Sequence, residues 1–369
     1  MLETMREKML DPMLDPMLDK NTAPASPTDV KSLEFDALLA WVTERGHTRF
    51  RADQLYRWVH QKGVRDTAAM TNLPAALREH PELRLRHLHR ERVLRSTDGT
   101  RKLILRTDDG LLLETVIIPM GKGRFTQCVS SQIGCKMGCT FCATAQMPKR
   151  MNLEPSEIVD QIYHARAFLD GEGQGEGVDN LVFMGMGEPL DNLEHVVRSL
   201  RILMDARGAM FGCRRITVST VGLVPRIHTF GTLVPVNLAV SLNATTDEVR
   251  SQIMPMNRKY PIATLLDALR AYPMSPRRRI TIEYVMLGGL NDTDADARRL
   301  PELLQGVRCK VNLIPFNPWP GSAFKSPEDD RVNVFRDRLL KSGIQANMRM
   351  PKGRDIQAAC GMLDGNQPL

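Results

Sequence analysis

The sequence predicts an α/β fold: an incomplete (β/α)6 barrel, preceded by a small helical domain and a β-meander. Two patterns carry this expectation. From about residue 126 onward six β-like apolar runs, at 127–131, 181–184, 215–220, 236–242, 280–286 and 310–315, alternate with stretches of helical periodicity. No dinucleotide-binding glycine fingerprint follows any of these runs, which favours an open barrel over a doubly wound sheet. In a barrel of this kind function sits at the carboxyl ends of the strands.

The composition admits such a fold and excludes others. With 369 residues, 42% apolar and 25% charged, the chain has the make-up of a globular protein and not of a fibre or a disordered tail. Its longest apolar runs, such as Leu103–Leu105 and Leu111–Leu113, fall far short of the ~20 residues of a membrane span, so no membrane partner is expected. Seven cysteines without a secretory leader argue for a reducing compartment, and the cytoplasm is the expected location. A net charge of +7 and a pI near 9.1 point to a polyanionic partner.

Residues 1–32 carry the near-repeats Met9-Leu-Asp-Pro12 and Met13-Leu-Asp-Pro16; an Asp-Pro every fourth residue breaks any helix, and a disordered tail is expected. Residues 33–83 place Phe35, Leu38, Leu39 and Val42, then Leu55, Trp58 and Val59, at helical spacing, which predicts a small helical domain. Arg45, His47, Arg49, Arg51, Arg57, His60, Lys62 and Arg65 make it a candidate phosphate-contacting surface. Residues 84–125 predict a meander with turns at Thr97-Asp-Gly-Thr100 and Asp108-Asp-Gly110. From Arg84 to Arg106 eight Lys/Arg face two acids, Glu91 and Asp98, which suggests a docking face for nucleic acid. The barrel is assigned to residues 126–369.

The densest chemistry lies in Ser131-Gln-Ile-Gly-Cys-Lys-Met-Gly-Cys-Thr-Phe-Cys-Ala143. Cys135, Cys139 and Cys142 stand in C-x3-C-x2-C spacing, so three thiolates can hold three irons of a [4Fe–4S] cluster and leave the fourth open for a ligand. The alternative, a structural zinc, needs four ligands, and no second knuckle follows. Gly171-Glu-Gly-Gln-Gly-Glu-Gly177 is not a phosphate loop: it precedes a strand, lacks the lysine and carries two glutamates. Met184-Gly-Met-Gly-Glu-Pro-Leu190 directly follows a strand, where Gly185 and Gly187 allow close backbone approach and Glu188 can accept hydrogen bonds from an ammonium group. Ser219, Ser241-Leu242-Asn243 and Asn317 fall at later strand ends, where ribose and carboxylate ligands would be needed. Cys128 and Cys360 are isolated, each also readable as a small buried hydrophobe, like Cys213 and Cys309.

From about Ser32 to its end the sequence resembles the RlmN family of dual-specificity RNA methyltransferases, within the radical S-adenosylmethionine (SAM) enzymes. Phe50-Arg-Ala-Asp-Gln54, Met70-Thr-Asn-Leu-Pro74, Glu114-Thr-Val116, Cys128-Val-Ser-Ser-Gln132, the cysteine loop, Gly185-Met-Gly-Glu-Pro189, Asn312-Leu-Ile-Pro-Phe-Asn-Pro318 and Ala358-Ala-Cys-Gly361 carry the resemblance. It implies methylation of C2 of one adenine in 23S rRNA and of the adenine beside the anticodon in some tRNAs. It also implies a [4Fe–4S] cluster on Cys135, Cys139 and Cys142, and SAM bound by Gly187, Glu188, Ser219, Ser241, Leu242, Asn243 and Asn317. Cys360 would be the methyl carrier, Cys128 its resolving partner through a disulfide, and Glu114 the general base. Two SAM molecules per turnover, a flavodoxin-like or ferredoxin-like electron donor and a monomer are expected with it. Asn243 departs from the His of many members and Met362 from the usual Gln. The alternatives are a Cfr-type enzyme acting at C8, another radical SAM enzyme acting on a small molecule, and a non-catalytic RNA-binding iron–sulfur protein.

Overall fold

The computed structural model describes residues 27–173 and 177–365. The Met-Leu-Asp-Pro repeats and the centre of the acidic glycine loop lie outside the described residues. The chain enters the fold at Thr28–Asp29, which pairs in parallel with Leu83–Arg84, so residues 28–32, given to the tail by sequence, belong to the helical unit. Helices α1 (Phe35–Glu44) and α2 (Arg49–His60) turn Phe35, Leu38, Trp41 and Val42 against Leu55, Tyr56 and Val59, as the three-and-four spacing requires. Met70, Leu73 and Leu77 complete this core.

Buried polar bonds fasten the helical unit to the rest. Lys31 Nζ lies 2.7 Å from Asp160 Oδ1, with both side chains almost inaccessible, and the backbone N–H of Leu88 donates to Asp160 Oδ2 at 2.8 Å. Burial opposes ionisation of Asp160, but Lys31 and His87 more than offset it and hold the carboxyl far below its usual range. His60 corrects the sequence reading. It is fully buried, bonds Tyr163 Oη at 2.8 Å, and burial holds its imidazole neutral with a pKa of about 3, so it contacts no phosphate. It falls one turn after Tyr56, on the inner stripe of α2.

The meander forms as expected: β1 (His89–Arg95), β2 (Arg101–Arg106) and β3 (Leu112–Pro119) are antiparallel, and Gly99 and Gly110 turn the chain at positive φ. It does not stand apart. β3 pairs with β4 (Phe125–Cys128), and β5 (Asn180–Phe183), β6 (Ile216–Thr220), β7 (Asn237–Ser241), β8 (Ile280–Met286), β9 (Cys309–Pro315) and β10 (Ala346–Met348) follow in parallel, giving one ten-stranded sheet in sequential order. The six expected parallel strands are present. β10 is a seventh, and its three residues are too few to show a period of two.

The crossovers carry α3 (Pro155–Gly171), α4 (Leu193–Met204), α5 (Val224–Leu233), α6 (Asp247–Ile253), α7 (Ile262–Arg270), α8 (Asp294–Leu303) and α9 (Asp329–Lys341); all but α6 add apolar residues to the sheet's core, and Ile253 of α6 packs with the cysteine loop. Reciprocal caps start two of them, Glu154 with Glu157 at α3 and Thr293 with Asp296 at α8.

The basic density of the meander is partly neutralised by acids that sequence order hides. Arg84 pairs with Asp108 at 3.0 Å, Arg106 with Glu91 at 2.6 Å and Arg101 with Glu172 at 3.1 Å; Arg95 also reaches Glu172. Two of these four arginines thus draw on an acid from the end of α3.

Candidate active site

The cysteine loop is anchored before it begins. Gln132–Ile133 pairs antiparallel with Met151–Asn152, and Gly134 takes φ +68°, where an added Cβ would stand 2.2 Å from the Lys149 carbonyl oxygen. The three thiols then enter an apolar pocket with Met137, Phe141, Ile253, Met254, Leu287 and Phe316. Burial pushes Cys135 up to about 12 and Cys139 and Cys142 upward; Cys135 and Cys139 are raised further by the charge of neighbouring cysteines. Three thiolates in so apolar a place need a cationic group to stabilise them, and an iron–sulfur cluster fits this donor set.

The glycine-rich turn after β5 packs directly on this loop. Gly187 (φ +97°) leaves no room for a Cβ, which would lie 2.5 Å from Gln132 Cβ. Gln132 Oε1 accepts from the Glu188 N–H at 2.8 Å. The buried Glu188 carboxylate accepts backbone N–H groups of Leu190 at 3.0 Å and Val221 at 2.8 Å, and burial raises it to about 7 against these bonds. Asn243 adopts φ +58°, a conformation Asn tolerates, while its Oδ1 accepts from Val285 N–H at 2.8 Å.

Cys360 reaches the same place from the other end of the chain. Asn317 Nδ2 donates to the Cys360 carbonyl at 3.2 Å, Arg354 Nε donates to Asn317 Oδ1 at 2.7 Å, and Ala143 N–H, one residue past Cys142, donates to the Gly361 carbonyl at 2.8 Å. Thr144 Oγ1 adds a bond to the Leu363 carbonyl at 2.5 Å. The Cys360 side chain is open, but it opens into a cavity.

That cavity, about 930 Å³, runs through the sheet's interior and is lined by Cys128, Cys135, Cys139, Cys142, Gly187, Glu188, Ser219, Ser241, Asn243, Asn317 and Cys360. Eleven of the thirteen residues singled out from sequence therefore share one wall. Cys128, 8% exposed at the end of β4, has its thiol pushed up to about 12 by burial and by the nearby charge of Cys360. All seven cysteines are free thiols, so no Cys128–Cys360 disulfide is formed.

Two residues do not line the cavity. Leu242 is fully buried, and its backbone N–H and carbonyl bond Glu283 O at 3.1 Å and Arg250 Nε at 3.1 Å. Glu114 is inaccessible in the middle of β3, with Lys102 Nζ 2.9 Å from its carboxylate; burial raises its pKa and Lys102 opposes the rise. Lys102 also donates to the Gln357 carbonyl at 3.2 Å, which ties this pair to the Cys360 segment.

Residues given no role from sequence stand in this wall or behind it. Arg250, fully buried, donates to the carbonyls of Val221 at 2.8 Å, Ser241 at 3.2 Å and Leu242 at 3.1 Å, binding the ends of β6 and β7 together. Arg349 follows β10, donates to Met184 Sδ at 3.3 Å, and its charge favours the thiolates of both Cys128 and Cys360. Glu283 and Asn312 face each other across β8 and β9. At the rim stand the exposed Met120 (55%) and Met350 (65%) with Arg214, Arg215, Lys310 and Lys352.

A sequential parallel sheet carrying a three-cysteine loop, with a ligand-sized interior at its strand ends, defines a radical SAM enzyme. Residues 129–300 match the family model of the Radical SAM superfamily, and residues 28–84 that of the ribosomal RNA large subunit methyltransferase N-terminal domain. A solved radical SAM methyltransferase from Sphaerobacter thermophilus superposes with a TM-score of 0.87 at 42% identity, covering 92% of this chain and 100% of that one. The dual-specificity RNA methyltransferase RlmN of Geobacter sulfurreducens is 48% identical over 339 residues, 91% of this chain and 92% of that protein. Its counterpart in Anaeromyxobacter dehalogenans is 49% identical over 340 residues, 91% of each. The chain belongs to the RlmN family and is a radical SAM RNA methyltransferase.

Proposed function

We propose that this enzyme methylates C2 of adenine in 23S rRNA and in tRNA through a methyl carried on Cys360. The observation that carries this reading is the meeting of Cys128 and Cys360 in the same cavity as the three-cysteine loop, although 232 residues separate them in sequence. A C2 carbon is electron-poor and not nucleophilic, so it cannot take a methyl group directly from SAM. A sulfur carrier and a radical route answer that difficulty.

Cys135, Cys139 and Cys142 would hold a [4Fe–4S] cluster, and Gly187, Glu188, Ser219, Ser241, Asn243 and Asn317 would line the SAM site, with Leu242 supporting it from behind. When bound, the cluster supplies the electron that cleaves SAM and so opens a methyl C–H bond to radical chemistry. The chain's own part begins with the Cys360 thiolate, favoured by Arg349, which takes a methyl from a first SAM. Asn317 holds the Cys360 carbonyl and Ala143 that of Gly361, so the methyl-bearing sulfur would be kept at a fixed place. Glu114 would accept the C2 proton, and Lys102 keeps that carboxyl oriented. Cys128 then attacks the Cys360 sulfur: an S–S bond forms as the S–C bond breaks, and the released carbon takes a proton to become the methyl group. An external low-potential protein donor would supply electrons, and a second SAM is consumed. The rim cations, with Met120 and Met350, suit a polyanion whose base enters the cavity. The cytoplasm is the compartment consistent with free thiols.

Two substitutions test the scheme. Cys128→Ala is expected to accumulate an enzyme–RNA adduct that survives denaturing electrophoresis, whereas Cys360→Ala and the double variant form none. Normal turnover by Cys128→Ala, or an adduct without Cys360, would refute the two-cysteine route.

A further inference from the structure

We propose that Glu283 and Asn312 read the Watson–Crick edge of the target adenine, an inference that rests on the function proposed above. The two residues face each other in register on β8 and β9, and Asn312 Nδ2 donates to Glu283 Oε1 at 3.0 Å. Glu283 is 4% exposed, yet its second oxygen, Oε2, has no hydrogen-bond partner. A buried carboxyl oxygen left unmatched is a place where a ligand group is missing. Both side chains line the cavity that holds Cys128 and Cys360, and Glu283 is close enough to act electrostatically on the Cys360 thiol.

The chemistry of the pair fits adenine. Burial favours the neutral acid of Glu283, against the pull of Arg349, the Asn312 bond and Lys310. Because Oε1 already accepts from Asn312, the proton belongs on Oε2, and the group then presents a donor beside an acceptor in fixed order. Adenine offers the complement: N1 accepts from Oε2–H, and the N6 amine donates to Oε1. N1 adjoins C2, so a residue that reads N1 must share the cavity of the sulfur that reaches C2, as Glu283 does. Guanine in the same pose sets its N1–H against Oε2–H and carries an amine on C2. The adenine of SAM has the same edge, and Ser241, an implied SAM ligand, is the register partner of Glu283 on the other side. The test must therefore separate the two adenines.

The reconstituted enzyme is compared with E283Q, E283A and N312A on RNA hairpins bearing adenine or purine, which lacks the N6 amine, at the target position. Hairpin Kd and KM are the readouts; Cys360 methylation by SAM without RNA reports on the SAM site. The wild type is expected to favour adenine over purine at least tenfold in both constants, since a site built to bond a group rejects the analogue lacking it. E283Q, whose amide offers N–H and C=O in the same places, keeps the preference. E283A loses it by weakening adenine hairpins to the purine level, and N312A, which no longer fixes the proton, reduces it. An unchanged adenine-to-purine ratio in soluble N312A and E283A overturns the proposal, as does an E283A defect confined to the SAM concentration needed for Cys360 methylation. A wild type that methylates both hairpins equally refutes this inference alone. One that methylates neither refutes the function it rests on.

Discussion

On the proposed two-cysteine route, the Cys128 thiol would make the release of RNA the step most sensitive to pH. Burial, then the charge of Cys360, push that thiol up to about 12, and the thiolate is the attacking species. A raised thiol pKa keeps the group protonated across the working range, so at pH 8 roughly one molecule in ten thousand has the thiolate ready. In the RNA adduct the Cys360 sulfur is a neutral thioether, which removes the second cause and leaves burial, opposed by Arg349. The pKa then falls below its resting value, while burial, the largest cause, still holds it up. Release should therefore speed up about tenfold per pH unit, or about 30-fold from pH 7.0 to 8.5. The perturbation is a pH jump on adduct formed at pH 7 in a single turnover, where release is slowest; the assay is acid quench followed by denaturing electrophoresis of labelled RNA. Arg349→Met, which loses the favourable charge, should slow release at every pH and leave the slope unchanged. Release that is flat with pH, or that levels off below about pH 8, would refute the argument.

Removing Lys102 alone (Lys102→Met) leaves the Glu114 carboxylate buried without its partner and should cost about 3–5 kcal/mol in denaturant unfolding; Lys102→Met with Glu114→Gln should recover most of that. Asn317→Ala frees the Cys360 carbonyl from its 3.2 Å bond and should slow methyl uptake by Cys360 by about 3- to 10-fold without unfolding the protein, read by mass spectrometry of the peptide containing Cys360. Charge reversal at Arg214, Arg215 and Lys352 on the cavity rim should lower the salt slope of RNA binding by about 0.7–0.9 per lost contact, whereas reversal of the ion-paired Arg84 and Arg106 should change it less.

Local patterns made the frame of the protein legible. The apolar runs of β5 to β9 and the three-and-four spacing of α1 and α2 mark buried faces that no partner elsewhere in the chain can alter, and the C-x3-C-x2-C loop carries its ligand geometry within eight residues. Cys128 and Cys360 were singled out, but only family resemblance linked them. The bonds that seat the Cys360 segment, Asn317 to the Cys360 carbonyl and Ala143 to the Gly361 carbonyl, join residues far apart in sequence and leave no periodic trace. Charge was misread for a related reason. Glu172 lies far from Arg95 and Arg101 in sequence but pairs with both, and His60 looks like any basic helix residue until Tyr163 covers it. Arg250, Glu283 and Arg349 give no sign in the sequence because a lone charged residue reads as a surface residue until its neighbours are known.

The central claim is that this enzyme places a methyl group on C2 of adenine from a sulfur carrier. Mass spectrometry of nucleosides digested from 23S rRNA and tRNA, after reaction with methyl-labelled SAM and reductant, tests it most directly. The account predicts labelled 2-methyladenosine from both RNAs with wild-type enzyme and none with Cys360→Ala. Label in 8-methyladenosine, or in 2-methyladenosine formed without Cys360, would contradict it.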